Sequence, residues 1–342
     1  MLSIPKSSEI STGLKILTSL FKIKVLNKRI PLYCEWELTH YCNMSCPFCS
    51  TLSADRNTAQ DLSPPKALNM IDQLAEMGTK MIHFSGGEPT LRQDLPDLVS
   101  RAKQRNMMVS FTTNGSASIS KMEKLLDTDV IRVSIDGTEK FHDAGREFPG
   151  AFKRALETIR FIVSMGKKPI ITTVYMDETP YEMLEELALL ARKLKSKVSV
   201  NVVSNSHQDS GEGNDSRLHS QYVTVVKRLK AQFDDVFIDP EPFLSVIKLG
   251  GLDVYGCRAL DIAMAIKPDG SVCLPCTRFS KKQLKGDLRE IFYGESAEEL
   301  RKLQGKDPNC EGCAMRCMSS ASGLLTLKGQ ISTINRFARS II

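Results

Sequence analysis

Nowhere in its 342 residues does the chain reach the ~18 consecutive apolar side chains that a bilayer-spanning helix requires. It also lacks an amino-terminal segment with the charged, apolar and small-residue order of a cleavable signal peptide. The expectation from both is a cytoplasmic protein. Strong charge of either sign is missing too. The formal balance is +6, too small to argue for nucleic acid, and none is expected as a partner. A disulfide framework is absent as well, although there are ten cysteines. Most of them sit in tight local groups, a pattern that suits metal ligation in a reducing compartment.

What is present is ordinary globular composition, 42% hydrophobic and 25% charged, enough for one large domain and a small one. Strands are expected over Glu35–Leu38, Lys80–Phe84, Met107–Thr112, Val130–Ile135, Pro169–Val174 and Val198–Val203. Helices are expected between them over Pro64–Met77, Leu95–Arg105, Lys121–Leu126, Ala151–Met165 and Tyr181–Leu194. Ser63 stands where it would cap the first helix, and Pro64 where it would open it. Alternation at this interval predicts βαβ units on a parallel sheet. Six units predict an α/β fold built as a partial (βα)6 TIM-like barrel rather than a closed eightfold one. The expected division is a basic amphipathic segment over 1–33, the barrel over 34–245, a small cysteine-rich unit over 246–325 and an apolar, basic tail over 326–342.

The loop after the first strand places Cys42, Cys46 and Cys49 at C-x3-C-x2-C spacing. Three thiolates are one short of the four that close a cubane iron–sulfur cluster or a structural zinc site. An iron left without a protein ligand can bind a small molecule. On spacing alone a zinc knuckle stays open. Other polar or glycine-rich stretches fall at the ends of other strands, where parallel βα folds bind ligands. Ser85-Gly86-Gly87-Glu88-Pro89 follows the second strand, and Thr113-Asn114-Gly115 the third. Ser134 and Asp136-Gly137 close the fourth, with Arg146 beyond, and Val203-Ser204-Asn205 ends the sixth. Such a row on one rim indicates one ligand site. Gly86 and Gly87 would let backbone approach a ligand, and Glu88 would accept from an ammonium group.

Together these stretches resemble the radical S-adenosylmethionine (radical SAM) superfamily. Its three-cysteine loop carries an aromatic before the last cysteine, here Phe48, and holds a [4Fe–4S] cluster whose fourth iron is chelated by SAM. The resemblance implies that Gly86-Gly87-Glu88-Pro89 holds the methionine amino group and that Asn114 marks the matching end of the third strand. It further implies that Ser134 contacts the ribose or methionine part, that Arg146 takes the SAM carboxylate, and that Phe48 and Val203 lie beside the adenine. The implied chemistry is reductive cleavage of SAM, with the electron from a donor such as a flavodoxin or ferredoxin. The resulting 5′-deoxyadenosyl radical takes a hydrogen from a substrate carbon.

Farther on stand Cys257, Cys273, Cys276, Cys310, Cys313 and Cys317. A hairpin around Asp269-Gly270 would deliver Cys273 and Cys276 together. The region resembles the SPASM and twitch extensions of radical SAM enzymes, which enclose one or two auxiliary [4Fe–4S] clusters. Cys257, Cys276, Cys310 and Cys313 fit the one-cluster twitch form best. There are departures: Gly270 to Cys276 is Gly-x5-Cys where the family has Gly-x4-Cys, and the seventh cysteine of two-cluster domains is missing. Cys273 and Cys317 are then spare thiols, alternative ligands or part of a second site. A four-cysteine zinc site is the plain alternative. Cys34 reads as a core thiol.

Two features remain. Leu14, Leu17, Phe21 and Val25 recur at helical spacing among lysines, as in a helix that caps the barrel or one that lies on an anionic membrane surface. Residues 204–216 are polar and without period, as in a lid or an inert loop. The expected substrates are a peptide or small metabolite, oxidised, cross-linked or rearranged. The alternatives are a lipid or isoprenoid modified at a membrane, or a non-catalytic iron–sulfur or zinc scaffold or sensor.

Overall fold

A computed structural model describes residues 7–49, 51, 56–203, 216–238, 241–251, 254, 256–276, 280–311, 313, 321–323 and 325. Cys317, almost all of the expected loop at 204–216 and the tail from 326 lie outside them. The elements begin with α1 (Ser7–Val25), β1 (Tyr33–Thr39), α2 (Pro64–Glu76), β2 (Met81–Gly86), α3 (Leu95–Gln104) and β3 (Met108–Thr113). There follow α4 (Ile119–Glu123), β4 (Val130–Ser134), α5 (Glu139–Gly145), α6 (Ala151–Ser164), β5 (Ile170–Tyr175), α7 (Tyr181–Lys193) and β6 (Lys197–Val202). The remainder is α8 (Ser216–Gln232), α9 (Glu241–Lys248), α10 (Ala259–Ile262), β7 (Ala263–Ile266), β8 (Val272–Pro275), β9 (Ser280–Leu284), α11 (Leu288–Tyr293) and α12 (Glu295–Arg301).

Each outer helix carries one apolar stripe. α2 buries Ala67, Met70, Ile71 and Leu74, and α3 buries Leu95, Leu98, Val99 and Ala102. This i, i+3, i+4, i+7 spacing puts the side chains on one face of a helix. They join Cys34, Trp36, Leu38, Ile82, Phe84, Val109 and Phe111, from alternate positions of β1 to β3, in one core. Cys34 is thus the core thiol its setting suggested. The other face of the same strands points inward, because strand side chains alternate. It is polar. Ser85 Oγ donates to Glu35 Oε1 at 2.8 Å, and His83 Nδ1 lies 2.7 Å from Ser110 Oγ.

β1 to β6 pair in sequence and in parallel, which is the partial six-unit barrel. The sheet does not stop at residue 245. β7 pairs parallel with the free edge of β1, and β8 and β9 follow antiparallel, giving one sheet in the order β6-β5-β4-β3-β2-β1-β7-β8-β9. The cysteine-rich hairpin is therefore a continuation of the barrel wall. Lys267, just past β7, donates to Glu37 Oε2 of β1 at 2.8 Å.

α1 departs from the expected facing. The helix turns Ile16, Leu20 and Ile23 inward, against Leu32, Val246 and Ile262 and beside Tyr33, Met81 and Met108 at the starts of β1 to β3. It caps the lower end of the barrel, but Leu17, Phe21 and Val25 are on the outside. Two apolar lines run along this helix, and period alone does not say which one meets the core. Among the described residues no helix is long and apolar enough to cross a membrane.

At the upper end, the β2 turn is fastened to the loop that leaves β1. Gly87 N–H donates to Thr39 O at 2.6 Å, and Glu88 N–H to Tyr41 O at 2.8 Å. The approach is so close that a Cβ on Gly86 would lie 2.2 Å from Thr39 O, and one on Gly87 2.2 Å from Tyr41 O. Both glycines thus admit the backbone of the cysteine loop. Gly87→Ala is expected to destabilise the fold by about 3 kcal/mol through overpacking. Gly166→Ala, where φ is +77° and space is open, is expected to cost about 1 kcal/mol of backbone strain. Urea unfolding of the two variants checks the order; a Gly87 variant as stable as wild type would contradict the close contact.

Candidate active site

The loop from Thr39 to Cys49 has little regular structure of its own, so its shape depends on what grips it. Besides the two bonds to the β2 turn, Tyr41 N–H donates to Thr39 Oγ1 at 3.1 Å and Cys49 N–H to Cys46 O at 3.0 Å. Arg56 Nη1 donates to Met44 O at 3.0 Å and Cys42 O at 3.3 Å. Asn114, at the end of β3, donates Nδ2 to Asn43 Oδ1 at 2.9 Å and stands 3.9 Å from Cys42 Sγ. Ser116 hydrogen-bonds Asn43 as well. Cys49 Sγ lies 3.2 Å from Thr51 Oγ1.

Glu88 is buried, and both of its carboxylate oxygens accept hydrogen bonds within the protein. Oε1 accepts from Thr90 N–H at 3.0 Å, from the Thr90 hydroxyl and from Thr113 Oγ1 at 2.7 Å. Oε2 accepts from Asn114 N–H at 2.7 Å. Burial pushes the carboxyl up, and these donors pull the other way without cancelling it. The side chain clamps the end of β2 to the end of β3, which in turn aims Asn114 at the cysteine loop.

Beyond β4, Arg146 is buried, with Nε on Asp136 Oδ2 at 2.8 Å and its guanidinium carbon 5.9 Å from the centre of the Phe48 ring. Burial opposes the guanidinium charge, but Asp136 and then Cys46 hold it in place. Burial likewise works against the Asp136 carboxylate, and Arg146 and His142 outweigh it and keep it below its ordinary value. Asp136 also accepts from Val174 N–H at 3.2 Å, while its own N–H donates to His142 Nδ1 at 3.0 Å. Among the described residues the terminal nitrogens of Arg146 have no protein partner. A buried cation with two unused edges is a site for an oxyanion. Ser134 ends β4 opposite Thr172 of β5, and Val203, just past β6, donates its N–H to Tyr175 O at 2.9 Å. Both stand on the rim, without the direct grip on the cysteine loop that Asn114 has.

The donor set can be tested against the cofactor the sequence implies. Burial pushes the Cys42 thiol up, and pushes Cys46 to about 11; Arg146 opposes the second shift, and Cys49 and Cys42 add to it. Left alone, such thiols stay protonated at neutral pH. A polycation seated among them would draw off their protons, as metal binding does. By its chemistry the donor set, three thiols on one loop, suits a [4Fe–4S] cluster, which takes cysteine thiolates as its ligands.

A second group of thiols lies at the other end of the sheet, where β7 starts level with Tyr33 at the foot of β1. Burial pushes Cys257 up to about 12, and the charges that add to this belong to Cys276, Cys313 and Cys310. These four therefore form one electrostatic neighbourhood. Cys310 and Cys313 are joined by one turn, with Cys313 N–H on Cys310 O at 3.0 Å. Cys273 is buried on β8 opposite Gln283 of β9.

Several residues of this arrangement carried little sequence signal. Arg56 and Asn43 act through backbone and amide contacts that no motif announces. Asp136 was visible only as half of an Asp-Gly turn. The inward Glu35 and His83 could have been found from the alternation of β1 and β2, in which charged or polar positions recur opposite apolar ones.

Comparison with known proteins agrees with this geometry. Residues 36–191 match the radical SAM superfamily. The Fe-coproporphyrin III synthase of Methanosarcina barkeri (strain Fusaro / DSM 804) is 37% identical over 136 residues, 39% of this chain and 34% of the relative. Mycofactocin maturase MftC of Mycolicibacterium smegmatis is 29% identical over 318 residues, 85% of this chain and 79% of the relative. The chain matches between 34% and 63% of the length of the first curated relatives. Streptococcus suis SuiB bound to its precursor peptide SuiA shares the fold, with a TM-score of 0.65 at 20% identity over 87% of this chain and 72% of that one. That superfamily works with a [4Fe–4S] cluster and SAM. Residues 36–191 are thus a radical SAM domain, set in a partial barrel with a thiol triad at its mouth.

Proposed function

We propose that the chain is a radical SAM enzyme that abstracts a hydrogen from a carbon of a peptide. The observation that carries this reading is the loop on β1, with three buried or half-buried thiols beside an oxyanion site. Cys42, Cys46 and Cys49 would hold the [4Fe–4S] cluster. Bound there, cluster and SAM supply the 5′-deoxyadenosyl radical once an electron arrives from a donor such as a flavodoxin or ferredoxin. Arg146, pinned by Asp136, would hold the SAM carboxylate on its unused nitrogens. Phe48 and Val203 would flank the adenine, and Ser134 the ribose or methionine part. Gly86 and Gly87 set the height of the loop, and Glu88 positions Asn114. The polar inner face below, with Glu35, His83 and Ser110, would receive the substrate and keep bulk water from the radical.

The peptide is favoured by reach. The similarity to the mycofactocin maturase covers 85% of the chain, too much to be confined to the barrel, and SuiB is known with a bound precursor peptide. The similarity to the coproporphyrin enzyme is higher but covers 39%, so it speaks for the barrel chemistry and less for the substrate. A small metabolite is the second reading on that ground. Cys257, Cys276, Cys310 and Cys313 would hold one auxiliary [4Fe–4S] cluster at the foot of the sheet, across the lumen from SAM. Cys273, on another strand position, is then a spare thiol or a ligand of a second site with Cys317. A reducing compartment such as the cytoplasm suits both sets of thiols.

Anaerobic protein should carry about eight irons, and Cys257→Ala/Cys276→Ala about four. That double variant should still cleave SAM in the presence of dithionite, whereas Cys42→Ala/Cys46→Ala/Cys49→Ala should form no 5′-deoxyadenosine. Zinc in place of iron, or full 5′-deoxyadenosine from the triple variant, would refute the reading. Arg146→Ala should raise the KM for SAM about tenfold to a hundredfold, the worth of a charge-assisted hydrogen bond. Arg146→Lys should recover part of it, and unchanged KM in both would remove Arg146 from the SAM site.

A further inference from the structure

We propose that α1 and the turn after it dock the protein on an anionic lipid surface. This goes beyond the reaction at the rim and does not rest on it. α1 has two apolar lines about 130° apart around its axis at ~100° per residue. Ile16, Leu20 and Ile23 are spent on the barrel foot. Leu17, Phe21 and Val25, with Leu26 just beyond, stand 45–58% exposed. They make a continuous strip, since positions i, i+4 and i+8 lie one above another.

The strip is edged by cations. Lys24 lies on one side, Lys22 and Lys28 on the other, and among the described residues no acidic side chain pairs with any of the three. Beside it is an open groove of about 530 Å³, lined by Lys22, Leu26, Lys28, Arg29, Ile30 and Tyr293. The acid at its edge, Glu298, is already paired with Arg29, and Tyr293 donates its hydroxyl to Arg29 O at 3.0 Å. A phosphate-bearing head fits the groove while acyl chains receive the strip. Lysines around aliphatic and aromatic side chains are the make-up of an interfacial helix. They are depleted at the cores of protein interfaces, which argues against a second copy of this chain as the occupant.

The test is sedimentation of the full-length holoenzyme with vesicles of phosphatidylcholine, alone or with phosphatidylglycerol. Binding is expected on the anionic vesicles and not on the neutral ones. Phe21→Glu should weaken it about tenfold or more, since half-exposed apolar surface is no longer buried. Lys22→Ala/Lys28→Ala should weaken it roughly twenty-fivefold, at about fivefold per charge. Both variants should keep their melting temperature and SAM cleavage, because the altered side chains are exposed and Cys42, Cys46 and Cys49 stand at the opposite end of the barrel. No binding to anionic vesicles, or binding that both variants retain, overturns the proposal. A concentration-dependent dimer that Phe21→Glu abolishes assigns the strip to a second copy and overturns it too. So does vesicle binding that appears only after residues 326–342 are removed, which assigns the strip to the tail.

Discussion

The carbonyl of Tyr41 occupies the place where a side chain on Gly87 would begin. That contact decides the rest of the upper rim. A loop with three cysteines and a proline has no ladder of hydrogen bonds to define it. Here it borrows definition from the neighbouring strand, through two short backbone bonds that only glycine at both positions permits. With the loop held at that height, Arg56 reaches two of its carbonyls and Asn114 reaches its first cysteine.

Charge is arranged around the same loop with few loose ends. The buried Glu88 is answered by four donors and Nε of the buried Arg146 by Asp136. The terminal nitrogens of Arg146 and the thiols are the exceptions, since burial holds Cys42 and Cys46 away from the thiolate state that a ligand needs. The second set repeats the condition at the foot of the sheet, most strongly at Cys257. Burial thus pushes Cys42 and Cys46 at one end and Cys257 and Cys310 at the other toward the protonated thiol, a condition that binding of a metal group would relieve. The inner face of the barrel lies between the two groups and carries polar pairs of its own, Ser85 with Glu35 and His83 with Ser110.

The barrel was legible because its signals are local. The stripes of α2 and α3 and the alternation of β1 can be read within a dozen residues, and the cysteine spacing within eight. The union of β7 with β1 was not legible, because a strand of four residues does not name its partner. The clamp that Glu88 makes on Thr113 and Asn114, a strand away, was not legible either, because a motif records residue type and not what the side chain meets. α1 shows the same limit: two apolar lines satisfy one period, and only packing chose Ile16, Leu20 and Ile23 for the core. Arg56 lies far from any pattern and acts on backbone oxygens, which every residue has.

On the proposed reading, the site turns on a loop whose three sulfurs would leave one iron of a [4Fe–4S] cluster for the methionine end of SAM. Mössbauer spectra of the Cys257→Ala/Cys276→Ala variant, loaded with enriched iron so that the upper cluster alone is seen, test this most directly. The expected result is that one iron of the [4Fe–4S] cluster shifts when SAM is added while its three neighbours stay as they were. Spectra in which SAM moves none of the irons would contradict the account.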